Sequence, residues 1–227
     1  MTEILVTTLE FGPATVLTNG TVLQDEWLER LREAADHSRY SLEFRVSIDG
    51  FTAEQNDPIR GPGTFDRAMR GVGKLVGYGF LPIITAVRTW EMADENRIIQ
   101  SFVATLKHIG YTRPRLKILP TLHLGEEANR TTGYSATERV TTAMMEGYDP
   151  TRLVCHHSRI VTDRGVHVCP ILVESPDSLL GDTLQSSLQP FRLAHGACTT
   201  CYRFGAICAN AGGGTAGPAE KANGAES

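Results

Sequence analysis

The feature that most constrains this chain is a repeated alternation between a short β-type run and a longer stretch of helical periodicity. Ala14-Thr15-Val16-Leu17 ends at Thr18-Asn19-Gly20, and Asp25 to Ala35 then sets Trp27, Leu28 and Leu31 at helical spacing. Leu42 to Ile48 closes on Asp49-Gly50; after a Pro/Gly-rich loop at Pro58 to Gly63, helical periodicity returns over Thr64 to Leu75. Pro82 to Val87 precedes Asp94 to His108, and Arg115 to Leu119 precedes a helix expected over Ser135 to Glu146. Four such units in a row imply an α/β fold with parallel strands and right-handed crossovers, either a doubly wound sheet or an arc of a barrel. In both, ligands sit beyond the carboxyl ends of the strands. The residues at those ends are Thr18-Asn19-Gly20, Ser47-Ile48-Asp49-Gly50, Thr85 to Thr89 and Pro120 to His123.

Past Pro150 the pattern changes. Leu153 to Cys155, Arg159 to Val161 and Val166 to Val168 read as short strands, the last two joined by a tight turn at Asp163-Arg164-Gly165. A helix is expected over Leu184 to Leu193. The small, polar end, rich in Gly and Ala, cannot bury enough apolar surface to order itself and reads as a disordered tail. The organisation expected is a larger domain over residues 1–150, a cysteine-rich module over 151–210 and a tail over 211–227.

Bulk properties exclude several classes. A net charge of -4 and a pI of about 6.0 leave no basic field to neutralise phosphates, so nucleic acid is not an expected partner. The longest apolar stretches, Ile4 to Val6 and Phe80 to Val87, fall far short of the roughly 20 residues of a membrane span. Met1-Thr2-Glu3-Ile4 shows neither the basic region nor the apolar run of a secretory signal, so a cytoplasmic location is expected and the triplets at Asn19 and Asn129 read as chance sequons.

The chemistry concentrates in the thiols. All 5 cysteines follow residue 150, an odd number that argues for metal or redox chemistry above structural disulfides. Cys198-Thr199-Thr200-Cys201 is followed by Cys208 and preceded by Cys155 and Cys169. Thiolates at this spacing can turn onto one metal, with further ligands from a second knuckle. Zinc, an iron-sulfur cluster and merely buried thiols all remain open on spacing alone. His156 and His157 adjoin Cys155 as possible ligands or hydrogen-bond donors to them, or as strand-edge surface residues. Ser47 and Asp49 put a hydroxyl and a carboxylate at a strand mouth, where a carboxylate can accept ribose hydroxyls, or where Asp49 and Gly50 simply make a turn. Gly71-Val72-Gly73-Lys74 lacks the upstream glycine and the following Ser or Thr of a phosphate loop. Neither His-Glu-x-x-His nor Gly-x-Ser-x-Gly occurs.

Taken in order, Val16-Leu17-Thr18-Asn19-Gly20-Thr21, Phe44-Arg45-Val46-Ser47-Ile48-Asp49-Gly50, Asp57 to Phe65 and Gly79-Phe80-Leu81-Pro82-Ile83 resemble the middle of the radical S-adenosylmethionine barrel. The terminal cysteines resemble the auxiliary-cluster modules called SPASM or twitch domains. The resemblance implies a partial barrel, a 4Fe-4S cluster, and reductive cleavage of S-adenosylmethionine to a 5′-deoxyadenosyl radical. Carried over by position, it sets Thr18 and Asn19 at one strand end, Ser47 and Asp49 at the next near the ribose and methionine of the cofactor, and Arg60 as a further cofactor contact. Cys155, Cys169, Cys198, Cys201 and Cys208 become the candidate ligands of one auxiliary cluster. A peptide or protein is the substrate class such modules imply.

The family's Cys-x-x-x-Cys-x-x-Cys loop should precede Thr18, yet no cysteine precedes Cys155. The sequence is therefore expected to be a truncated form, lacking the first strands of the barrel and unable alone to cleave S-adenosylmethionine. The alternatives are a non-catalytic iron-sulfur electron-transfer partner and a zinc-stabilised interaction domain.

Overall fold

The computed structural model describes residues 1–205. They divide into two compact units, one of Met1–Leu119 and one beginning at Pro120.

The first unit opens with α1 (Thr2–Phe11) and continues as β1 (Ala14–Thr18), α2 (Asp25–His37), β2 (Leu42–Ser47), α3 (Ala53–Arg60), α4 (Thr64–Gly77), β3 (Ile83–Val87), α5 (Glu95–His108) and β4 (Arg115–Leu119). All strand pairs are parallel, and the strands lie side by side in chain order, β1-β2-β3-β4. Each crossover therefore steps one strand in the same direction. A doubly wound sheet would reverse, so this order defines an arc of a barrel.

The two faces of the sheet confirm it. Val16, Phe44, Val46, Ile84 and Ala86 point to the helices and meet Leu28 and Leu31 of α2, the Ala68, Met69, Val72 and Leu75 stripe of α4, and Phe102 and Leu106 of α5 in one core. The helical stripes follow i, i+3, i+4 and i+7 spacing, which turns one face of each helix inward. Residues of the opposite parity stand on the other face of the sheet: the polar Thr15, Glu43, Arg45, Ser47, Thr85, Arg115 and Lys117, with Leu17, Ile83, Val87 and Leu119 among them. Parallel strands buried between two helix layers are apolar on both faces; a second face that is polar at most positions suits a barrel lumen that holds a ligand.

Between β2 and α4 the structure departs from the sequence expectation. The Pro/Gly loop is preceded by a true helix, α3, which contains Pro58 and ends at Arg60. The hydrogen bond that Pro58 cannot donate is offset by tertiary bonds from its neighbours Asn56 and Asp57, described below. The helix α1, for which the sequence suggests no more than a helix-or-strand register, packs Leu5, Val6 and Leu9 inward.

The second unit contains α6 (Glu126–Arg130), α7 (Thr142–Met145), α8 (Val154–His157), β5 (Ile160–Thr162), β6 (Gly165–His167), β7 (Leu179–Gly181) and α9 (Gly196–Phe204). The expected hairpin is present: β5 and β6 pair antiparallel with Thr162 opposite Gly165, and β7 adds a third strand. Three expectations are corrected. The helix expected over Ser135 to Glu146 shrinks to α7, because Ser135 and Glu138 close a local turn and the stretch is rich in β-branched Thr and Val. Leu153 to Cys155 is not a strand but enters α8, where the Arg159 guanidinium donates to the carbonyls of Cys155 and Ser158. No helix forms over Leu184 to Leu193; instead the Thr183 hydroxyl accepts from the Ser186 N–H and the Ser186 hydroxyl donates to the Thr183 carbonyl, and Pro190 follows. The expected tail and Cys208 lie outside the described residues.

Two glycines fix how the first strand end seats on α4. Gly20 has φ 72°, and a Cβ there would lie 2.8 Å from a Val46 methyl. A Cβ on Gly71 would lie 2.0 Å from the Gly20 carbonyl oxygen, so both positions require glycine, whereas nothing lies within 4 Å of a Cβ on Gly73. Gly71→Ala is expected to destabilise the protein by about 3 kcal/mol in urea melts, because backbone must move to admit it. Gly73→Ala, two residues on in the same helix, is expected to be neutral or to stabilise by up to about 1 kcal/mol.

Candidate cofactor cradle and thiol cluster

The carboxyl ends of β1, β2 and β3 are held by side chains that bond across them. At the end of β1 the Thr18 hydroxyl accepts from the Gly20 N–H at 3.0 Å, and the Asn19 side chain accepts from the Thr21 N–H at 3.0 Å and its hydroxyl at 2.9 Å. Both side chains are thus engaged in shaping their own turn. Ser47 is the last residue of β2, half-buried, and pairs in register with Thr85 of β3.

Asp49 is the joint of the site. Its side chain is 1% exposed; one carboxylate oxygen accepts from the Val87 N–H at 2.7 Å and the other from Arg60 Nε at 2.6 Å. One carboxylate therefore ties the end of β2 to the end of β3 and to the last turn of α3. Its own N–H donates to the side chain of Asn56 at 3.0 Å, and Asn56, 1% exposed, donates in turn to Thr64 at 3.0 Å and Asp57 at 3.1 Å. Asp57 accepts from the N–H groups of Gly63 at 2.6 Å and Phe65 at 2.9 Å, which caps the start of α4. The Phe65 N–H foremost, with Asn56, Gly63 and Thr64, holds the Asp57 carboxyl below its ordinary range against a smaller opposing effect of burial.

The structure thus pairs Asp49 with Arg60, sets Ser47 two residues before Asp49 at the end of β2, and places Thr18 and Asn19 at the neighbouring strand end. Sequence reading missed Asn56 and Asp57. Their signal is an Asn-Asp-Pro triplet, a turn and cap signature, and it gives no hint of the tertiary partner. Beyond the ends of β2 and β3 lies a cavity of about 180 Å³ lined by Asp49, Phe51, Gln55, Trp90 and Phe102 among others. The last candidate strand end, Pro120 to His123, belongs to the second unit.

In that unit four cysteines are described, all free thiols. Cys155, Cys169 and Cys198 gather on one apolar cluster with Val168, Leu172 and Ala197. Burial raises all three thiols, Cys198 to about 11, and their mutual proximity adds to the effect at Cys155 and Cys198. Backbone N–H groups of Ile171 and Leu172 oppose the shift at Cys169, as does that of His195 at Cys198. Cys198 and Cys201 sit on successive turns of α9, not on a loop knuckle, and Cys201 acts on Tyr134 and Tyr148. His156 and His157 are exposed on α8. Soft sulfur donors in an apolar pocket with amide N–H groups aimed at them suit an iron-sulfur cluster or zinc, whose charge would reverse the upward shift. Among the described residues, however, no three ligating side chains are arranged around a common point.

No protein-family model matches the chain. Over 101 residues, 43% of its length, the chain is 34% identical to the mycofactocin maturase MftC of Mycobacterium tuberculosis. Over 104 residues, 45% of its length, it is 32% identical to the same maturase of Mycolicibacterium smegmatis. The aligned parts span only 25% and 24% of those relatives. Among solved structures, SuiB of Streptococcus suis bound to S-adenosylmethionine matches 85% of this chain and 51% of its own, at 13% identity and a TM-score of 0.51. SuiB alone matches 85% of this chain and 53% of its own, at 11% identity and a TM-score of 0.50. The fold and the sequence matches together define a protein with the radical S-adenosylmethionine barrel architecture. The chain is a relative of the radical S-adenosylmethionine enzymes.

Replacing Asp49 by Asn removes the charge that pairs Arg60 and is expected to cost roughly 2–3 kcal/mol in denaturant melts, the half-buried Arg60 limiting the loss. Asp57 has a folded-state pKa below its unfolded value, so its stabilising contribution is complete above the ordinary carboxylate range and is lost as pH falls through the depressed value. Melting temperatures taken from pH 6 down to about pH 3 are expected to fall more steeply for the wild type than for Asp57→Asn.

Proposed function

We propose that this chain supplies the S-adenosylmethionine cradle and an auxiliary iron-sulfur module of a peptide-modifying radical enzyme. The observation that carries the reading is the largely polar face of a sequentially ordered parallel sheet, edged by the locked strand ends at Gly20, Ser47 and Asp49. In it, Ser47 contacts the methionine end of the cofactor. Thr18 and Asn19 shape the adjoining strand end, and Asp49 with Arg60 fixes the floor against which the nucleoside lies. The relatives named maturases and the S-adenosylmethionine bound to SuiB support this choice.

A 4Fe-4S cluster, when bound, supplies the electron that cleaves S-adenosylmethionine to a 5′-deoxyadenosyl radical. The 227 residues contain no Cys-x-x-x-Cys-x-x-Cys loop, so cofactor cleavage requires cysteines that this sequence does not provide. The contribution of these residues is to bind and orient the cofactor and to carry the thiols of the second unit. Cys155, Cys169, Cys198, Cys201 and Cys208 are retained as the ligand candidates of one auxiliary cluster, with a peptide as the substrate and the cytoplasm as the location. No helix among the described residues is long and apolar enough to cross a membrane.

A zinc-stabilised or electron-transfer module is the second reading, favoured by the way three thiols join the apolar cluster of the second unit. One experiment separates the two. The full chain is purified anaerobically, iron, sulfide and zinc are quantified, and S-adenosylmethionine binding is titrated by calorimetry. The cradle reading expects saturable binding, weakened at least tenfold by Ser47→Ala, with about four irons and four sulfides per chain that are lost in Cys198→Ala. Stoichiometric zinc with no cofactor binding would overturn it.

A further inference from the structure

One helix grips Asp49 by both its main chain and its side chain. Asn56 and Arg60 stand four residues apart on α3 and so share one face of it. From that face the Asn56 side-chain oxygen accepts from the Asp49 N–H at 3.0 Å, and Arg60 Nε donates to the Asp49 carboxylate at 2.6 Å. The other carboxylate oxygen accepts from the Val87 N–H of β3 at 2.7 Å. A Cβ on Gly50 would lie 2.6 Å from the Asn56 nitrogen, so the glycine that follows Asp49 is what admits α3 this close to the end of β2.

α3 has little of its own to hold it there. It spans 8 residues, contains Pro58, and Asn56 is its one buried residue. A helix so short is marginal without tertiary support, and its sequence carries no apolar stripe to supply that support. The support comes from the far end of the same side chain. Asn56 Nδ2 donates to the hydroxyl of Thr64, the first residue of α4, at 3.0 Å and to the Asp57 carboxylate that caps that helix at 3.1 Å. One amide therefore joins the end of β2, the body of α3 and the first turn of α4.

The demands on that side chain call for a primary amide. Its oxygen must accept while its nitrogen donates twice, and asparagine does both. A carboxylate has no proton to give and would stand against the carboxylate of Asp57. Leucine, of similar size, would leave the Asp49 N–H unpaired at a buried strand end.

We propose that Asn56 is a positioning residue of the cofactor site. It touches no cofactor itself; it sets the plane of the Asp49 peptide and, through α3, the register of Arg60 on the Asp49 carboxylate. Ser47 takes its place from the same strand end. The role rests on the cofactor reading above, which gives Ser47, Asp49 and Arg60 their function. No bond is made or broken.

The test titrates the full chain calorimetrically with S-adenosylhomocysteine, comparing the wild type with Asn56→Leu, Asn56→Asp, Arg60→Ala and the Asn56→Leu, Arg60→Ala double variant. Leu106→Ala is the control, a truncation of the buried core on α5 outside the network, with a melting temperature expected to fall at least as far. Asn56→Leu is expected to weaken binding about tenfold in the wild-type background and by no more than about threefold once Arg60 is gone, because both act through Asp49. Asn56→Asp keeps the acceptor for the Asp49 N–H and loses both donors; it is expected to weaken binding about threefold, and it decides the matter should Asn56→Leu not fold. Leu106→Ala is expected to bind as the wild type does. Wild-type affinity in both Asn56 variants, an equal loss in Leu106→Ala, or additive losses in the double variant would overturn the positioning role and leave the cradle standing. A wild type that binds no S-adenosylhomocysteine removes the cradle, and the role with it.

Discussion

The first unit depends on a single carboxylate. Asp49 reaches from the end of β2 to the backbone of β3 and to the guanidinium of Arg60, so the spacing of two strand ends and the position of α3 are set by one buried group. Its N–H carries the constraint onward through Asn56 to Asp57 and Thr64, and so to the start of α4. The network is satisfied donor by donor, which is the condition under which a buried polar system rigidifies its surroundings. α4 then presses Gly71 onto the Gly20 carbonyl and holds the first strand end. The mouth of the sheet is therefore shaped before any ligand arrives.

The contrast between the two faces of the sheet follows from the same arrangement. One parity of strand residues packs with the helices into a continuous apolar core, while the other carries Glu43, Arg45, Ser47, Thr85, Arg115 and Lys117 beside Leu17, Ile83, Val87 and Leu119. Burying such a set against a second helix layer would be costly, whereas lining a lumen that receives a charged ligand is not. Strand order and strand polarity thus point to the same architecture independently.

The alternation of strands and helices in the first unit was legible because each element is long enough for its hydrophobic period to show. Leu28 and Leu31, or Val72 and Leu75, fall inward where their spacing says they should. α3 was not legible, since its stability lies in Asn56 and Asp57 bonding residues distant in the fold, and Pro58 reads locally as a breaker. The second unit was harder for a related reason: apart from α9 its strands and α-helices span only three to five residues, too short for a period, and side-chain turns such as those of Thr183 and Ser186 decide the outcome. Of the candidate site residues, Asp49 and Arg60 pair directly, with Ser47 two residues before Asp49 at the end of β2. What the sequence could not convey is that Asp49 is wholly occupied by protein donors.

The thiols of the second unit present the complementary case, soft donors collected on an apolar cluster and held protonated by burial. A metal centre would draw on them without altering the account of the first unit, whose central claim is that the strand ends form a cofactor cradle. The most direct measurement is hydrogen–deuterium exchange on the full chain with and without saturating S-adenosylhomocysteine. The account predicts slowed exchange confined to Thr18–Gly20, Ser47–Gly50, Arg60–Gly61 and Thr85–Arg88. Unchanged exchange in all four segments, or protection only on the helix-covered side of the sheet, would contradict it.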